Sequence, residues 1–82
     1  MDMQKEIRLC DLPVGRSALV ERVECADYLL RRVYDMGIVK GAVIQPLFRA
    51  PFGDPVAYGV KNTMIALRSR DSRDIYVRCQ NE

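Results

Sequence analysis

Asp27-Tyr28-Leu29-Leu30-Arg31-Arg32-Val33-Tyr34-Asp35-Met36-Gly37-Ile38 is the stretch on which the fold turns. Leu29, Leu30, Val33 and Met36 recur at helical spacing and make one apolar stripe, while Arg31, Arg32 and Asp35 fall largely on other faces. Asp27 suits an N-cap or the first turn, where its charge favours the helix dipole. Gly37 stands where a helix wants a left-handed residue at its C-terminal end, and Ile38 can fold back on the stripe. At about three turns, such a helix depends on packing rather than on propensity.

The flanking sequence has a different period. Ile7 to Gly15 is anchored by apolar residues and closed by a turn at Pro13 and Gly15. Arg16 to Glu24 alternates in places, Ala18, Val20 and Val23 against Glu21, Arg22 and Glu24, which predicts a strand. Past Gly41, the segment Ala42 to Arg49 is a strand with Pro46 inside it, so it is an edge strand or carries a bulge. Ala50-Pro51-Phe52-Gly53-Asp54-Pro55 is a dense turn cluster. Val56 to Val60 and Thr63 to Arg68 are strands joined by a tight hairpin turn at Lys61-Asn62. Ser69 to Asp74 makes one helical turn, and Ile75-Tyr76-Val77 is the last strand. About five short strands, with one short α-helix inserted after the first, predict an all-β domain, a small barrel or sandwich. We expect one domain over residues 7–78, with frayed ends at 1–6 and 79–82.

Composition excludes several kinds of function. The chain has 82 residues, room for a single domain, and at 49% hydrophobic it can bury a core. A formal charge of +2 does not argue for nucleic acid. Histidine is absent, which removes the commonest general base and the commonest metal ligand. There is no phosphate-cradling G-x-x-x-x-G-K-[ST], and no nucleophile with a histidine base is available. We therefore expect no catalytic residues, no cofactor and no metal ligands. Cys10, Cys25 and Cys79 lack a C-x-x-C pattern and read as reduced, partly buried thiols; a metal-binding protein built on these three is the alternative. Met1 to Arg8 is polar and no segment approaches membrane-spanning length, so a cytoplasmic protein that is not membrane-inserted is expected.

Four blocks of residues then become specific. Arg32-Val33-Tyr34-Asp35-Met36-Gly37-Ile38-Val39-Lys40-Gly41 resembles the helix-to-strand signature of FeoA proteins, small accessory proteins of bacterial ferrous iron transport. Arg49-Ala50-Pro51-Phe52-Gly53-Asp54-Pro55-Val56 is similar to that family's proline-x-glycine-aspartate-proline turn, Ile65-Ala66-Leu67-Arg68 to its Ala-Leu-Arg strand, and Leu9 to Gly15 to its opening Leu-x-x-Leu-x-x-Gly. The blocks keep the family's order and spacing. Lys40 departs from the family's proline, Tyr34 from its leucine, and Asp71-Ser72 from its Glu-Ala element. The resemblance implies an SH3-like β-barrel with an inserted helix. It also implies a partner, the FeoB membrane transporter, whose cytoplasmic part is a GTPase-like domain. A nucleic-acid-binding or proline-peptide-binding barrel is the remaining alternative, and weak self-association stays open.

The residues suggest where a partner would sit. Two adjacent leucines cannot both point fully inward, so Leu29 or Leu30, with Tyr28 or Tyr34, stays exposed beside Arg31 and Arg32. Phe52, at a loop tip, either covers the barrel end or joins the contact, whereas Phe48, in a strand, is expected in the core. Gly37, Gly41, Gly53, Asp54 and Pro55 are expected to serve turn geometry, with the Asp54 carboxylate bonding nearby N–H groups.

Overall fold

The computed structural model describes residues 5–79. Six strands run β1 Glu6–Arg8, β2 Ala18–Val23, β3 Val43–Arg49, β4 Val56–Val60, β5 Thr63–Leu67 and β6 Ile75–Cys79. Helix α1 spans Asp27–Asp35, the short α2 spans Ser69–Ser72, and a 3-10 turn covers Leu9–Asp11. The strands form one sheet in the order β1-β6-β2-β3-β4-β5, antiparallel at every step.

The sequence pattern predicts five strands, and the structure has a sixth. Glu6-Ile7-Arg8 pairs with β6, Ile7 opposite Val77, so the helix follows the second strand rather than the first. Three residues with a single apolar centre are too short to show alternation. Strand β6 continues to Cys79, opposite Ala18, and β1 begins at Glu6, opposite Arg78, so these two residues, expected to fray, are paired. Lys5 precedes β1 outside any strand, and the rest of the expected frayed ends, 1–4 and 80–82, lies outside the described residues.

The core lies on the inner face of the sheet and under α1. Leu9, Val20, Ile44, Ile75 and Val77 are inaccessible or nearly so, as are Val33 and Ile38 from the helix and its exit. Tyr58 is the largest of the fully buried side chains. Ser72 of α2 is buried as well and stands near the Tyr58 hydroxyl, so α2 brings a polar side chain to the polar end of this ring.

Pro46 and Phe48 show how one extra residue redirects a strand. Pro46 is buried in β3, an interior strand. Strand β2 pairs with β3 only at Ala18 and Leu19, so beyond Ile44 the β2 side of β3 is free of that ladder. There the Pro46 carbonyl accepts from the Gly15 N–H at 2.9 Å. A bulge between Pro46 and Phe48 then breaks the inward alternation and sets Phe48 opposite Ala57. Phe48 is therefore 54% exposed and is not a core residue.

Surface charge ties the other end of the sheet together. Arg22 on β2 meets Glu6 on β1 through two contacts of 3.2 Å, pairs also with Glu24, and lies 4.0 Å from the centroid of the Tyr76 ring on β6. Exposed pairs of this kind contribute little individually.

Candidate functional site

Helix α1 is fixed from its C-terminal end. The Ile38 N–H donates to the Val33 carbonyl at 3.1 Å and the Gly37 N–H to the Tyr34 carbonyl at 2.9 Å. This paired closure requires a left-handed residue, and Gly37 takes φ +92°. Gly41 and Gly53 are also at positive φ. Val33 and Ile38, the two residues that the motif brings together, are both fully buried. At the other end Ala26 is the N-cap and offers no side-chain acceptor, and Asp27 occupies the first turn.

That anchoring decides which leucine faces out. At 100° per residue, Leu29 and Met36 lie about 40–60° to one side of Val33 and Leu30 about 60° to the other. Leu29 and Met36 pack against the core cluster. Leu30 instead lines an open groove of about 400 Å³ with Asp27, Arg31, Tyr34 and Asp35. Tyr34 is 48% exposed there. The apolar floor of Leu30 and Tyr34 is thus framed by an acidic, a basic and a second acidic side chain at i, i+4 and i+8. Asp27 and Asp35 belong to this rim as well as Arg31, and the sequence signal for it is their four-residue spacing on either side of that arginine.

The remaining candidates are elsewhere. Tyr28, 80% exposed, and Leu29 border a second, polar cleft between α1 and α2 with Arg70, Asp71 and Arg73. Arg32 is exposed and lines neither groove. Phe52 stands at the tip of the β3–β4 turn, almost wholly accessible, so it does not cover the barrel end.

Asp54 does something other than bond its own turn. Its Oδ1 accepts from the Ser69 N–H at 2.8 Å and from the Ser69 hydroxyl at 3.0 Å, fifteen residues away. The β3–β4 turn therefore supplies the acceptor for the first N–H of α2, whose own N-cap position, Arg68, provides none.

Cys10, Cys25 and Cys79 are all free thiols. Burial pushes the Cys25 thiol up, and the carboxylates of Asp74 and Asp71 push it further. Cys10 is raised by burial and then by Asp11. Both shifts disfavour the thiolate, the form that binds metals. Among the described residues no three cysteine or carboxylate side chains are grouped to hold a metal ion.

The pattern that defines the FeoA domain matches residues 7–79, from the first strand to the last. The chain belongs to the FeoA family. A curated Porphyromonas gingivalis (strain ATCC BAA-308 / W83) protein, an Fe(2+) transport protein A/Fe(2+) transporter FeoB fusion protein, is 35% identical over 71 residues, 87% of this chain. This FeoA chain spans 8% of that relative's length. The solution structure of the Chlorobium tepidum FeoA protein superposes with a TM-score of 0.87 at 29% identity, over 92% of this chain and 71% of that one. The crystal structure of Stenotrophomonas maltophilia FeoA complexed with zinc, described as an SH3 domain protein, matches at 32% identity and a TM-score of 0.78, covering 87% of this chain and 88% of that one. The fold here is accordingly the SH3-like one, with the helix inserted between β2 and β3. No helix among the described residues is long and apolar enough to cross a membrane.

Proposed function

We propose that this FeoA domain docks on the cytoplasmic, GTPase-bearing part of a FeoB-type ferrous iron transporter through the outer face of α1, and modulates it without doing chemistry of its own. The observation that carries the proposal is the Porphyromonas gingivalis relative, in which the similar stretch and a FeoB transporter share one polypeptide. In that relative the covalent link supplies an effective concentration of about millimolar, so the contact there needs only modest affinity. The groove beside Leu30 suits that demand. It offers an aliphatic side chain, a tyrosine and an arginine close together, and Tyr and Arg are the residue types that dominate interface energetics. Its mixed rim favours orientation over strength.

Calorimetry with the purified transporter's cytoplasmic domain, with GDP and with a GTP analogue, and with the whole transporter in detergent, tests this. Binding is expected in at least one state, and the double variant Leu30→Glu with Arg31→Glu should lose it while its circular dichroism stays unchanged. Absence of any interaction with the whole transporter would refute the docking itself; undiminished binding by the double variant would move the interface off α1.

A further inference from the structure

The outer face of the β3-β4-β5 half combines an unprotected strand edge with an apolar trough. Lys61 and Asn62 both have positive φ and form a two-residue turn, so the flanking pair Val60–Thr63 is hydrogen-bonded. Alternation then directs the N–H and C=O groups of Met64 and Ala66 away from β4. Among the described residues β5 pairs with β4 alone, which leaves Met64 and Ala66 on the free edge. The same two residues are exposed on the outer face, Met64 at 61%. Beside them Ala57 and Gly59 on β4 are too small to fill the surface, and Phe48 and Leu47 on β3 rise on the far side. A hollow of about 240 Å³ opens between Phe48, Ala57 and Ala66, and a second of about 520 Å³ lies across Met64, bordered by Leu47, Gly59 and Lys61.

The two edges of the sheet are treated differently. Edge strand β1 places Glu6 and Arg8 in three residues, the usual device against unwanted pairing. Edge strand β5, Thr-Met-Ile-Ala-Leu, has no charge and no proline. The charges stand at its ends: Lys61 precedes it and Arg68 follows it. From Lys40 to Arg70 the chain carries five basic side chains and one acidic one, Asp54, which is engaged by Ser69; the rest carries eight basic and ten acidic.

We infer that the β5 edge is a strand-addition site that takes an extended, apolar segment flanked by acidic side chains from another protein. Main-chain groups of Met64 and Ala66 would carry the pairing, the hollows on either side of Met64 would take alternate apolar side chains, and Lys61 and Arg68 would receive the acidic flanks. A second copy of this chain is the poorer occupant. Antiparallel β5-to-β5 pairing that sets Met64 opposite Ala66 brings Lys61 and Arg68 of opposite copies close together, a like-charge contact. Strand β5 shares none of these grooves with α1, so this surface and the helix-face docking stand or fall separately.

The test uses nine-residue peptides with an alternating Val/Ile–Thr centre, flanked by Asp and Glu or by Lys, titrated into the nitrogen-15-labelled full chain. Acidic-flanked peptides should shift and protect the Met64 and Ala66 amides and bind at least about tenfold tighter than lysine-flanked ones. Ala66→Pro, which removes an outward N–H, and Met64→Lys, which charges the exposed trough, should each weaken binding about tenfold or more. Met64→Lys alters a mostly exposed side chain and remains informative if the proline variant fails to fold. No binding by any acidic-flanked peptide, equal affinity for the lysine-flanked set, or shifts confined to α1 would overturn the proposal. Sedimentation showing a β5-mediated dimer that excludes the peptides would overturn it in favour of a second copy.

Discussion

Replacing Asp54 with alanine should destabilise the domain through a helix distant in sequence: α2 starts fifteen residues further on, yet its first N–H bonds to this carboxylate. Two bonds are lost. The one from the Ser69 N–H is equivalent to a helix cap, about 1 kcal/mol. The one from the Ser69 hydroxyl, at 3.0 Å and solvent-accessible, adds about 0.5–1 kcal/mol. Asp54→Ala should thus cost about 1.5–2 kcal/mol, and with a urea m-value of about 1 kcal/mol/M for so small a domain the midpoint should fall by about 1.5–2 M. Asp54→Asn keeps a carbonyl acceptor without the charge and should lose about half as much. Ser69→Ala removes the hydroxyl bond alone, so a double-mutant cycle with Asp54→Ala should give a coupling of about 0.5–1 kcal/mol. An Asp54→Ala midpoint within about 0.3 M of the parent, or two substitutions that simply add, would refute the view that this turn caps α2.

Gly37→Ala should lower stability by about 1–2 kcal/mol, because φ is +92° and the new Cβ would meet the Lys61 side chain at 3.3 Å; an unchanged Tm would show that the helix does not depend on this closure. Leu67→Ala should cost about 2–3 kcal/mol, since the side chain is 5% exposed although it lies on an edge strand, whereas Phe48→Ala should cost under about 1 kcal/mol; thermal melts that reverse that order would overturn the bulge assignment. Because burial, Asp74 and Asp71 all raise the Cys25 thiol, its alkylation by iodoacetamide should require more alkaline pH than that of free cysteine, and Asp74→Asn should move the pH–rate midpoint down; a midpoint at or below that of free cysteine would contradict the burial.

The elements that were legible are those whose signals are local. The α1 stripe with Gly37 after it, the Lys61-Asn62 hairpin and the β4 and β5 strands each carry their period or their turn within a dozen residues. What was hidden depends on partners distant in sequence. Strand β1 exists because β6 lies beside it, not because Glu6-Ile7-Arg8 has a pattern. Phe48 leaves the core because of a one-residue bulge that its own segment does not announce beyond the presence of Pro46. Asp54 was expected to bond its own turn and bonds α2 instead. On the helix the adjacent leucines limited the answer to one of two, and the anchoring of Val33 against the core settled it: Leu29 turns in and Leu30 out. The apolar face over Ala57 and Gly59 has no sequence signal of its own, because small residues on an interior strand read as ordinary strand and form a trough only when β3 and β5 are set on either side.

The helix is unevenly held, and that unevenness bears on docking. Its C-terminal half is locked by Val33, Ile38 and the Gly37 closure, while its N-terminal turn has no side-chain cap, presents Tyr28 outward and leaves Leu30 half-buried at the groove. Local openings that expose backbone amides should therefore begin at the N-terminal turn. A partner that covers Leu30, Arg31 and Tyr34 binds only the closed helix, so binding and helix order are linked. At a partner concentration of 100 Kd the linkage is about 2.7 kcal/mol, which corresponds to roughly hundredfold slower exchange of amides whose opening breaks the interface. Hydrogen exchange of this chain with and without the transporter's cytoplasmic domain should show that slowing at Leu30 and Arg31. Saturating partner that leaves the α1 amides unchanged would mean that the helix is a bystander, held in place for the fold and not for the contact.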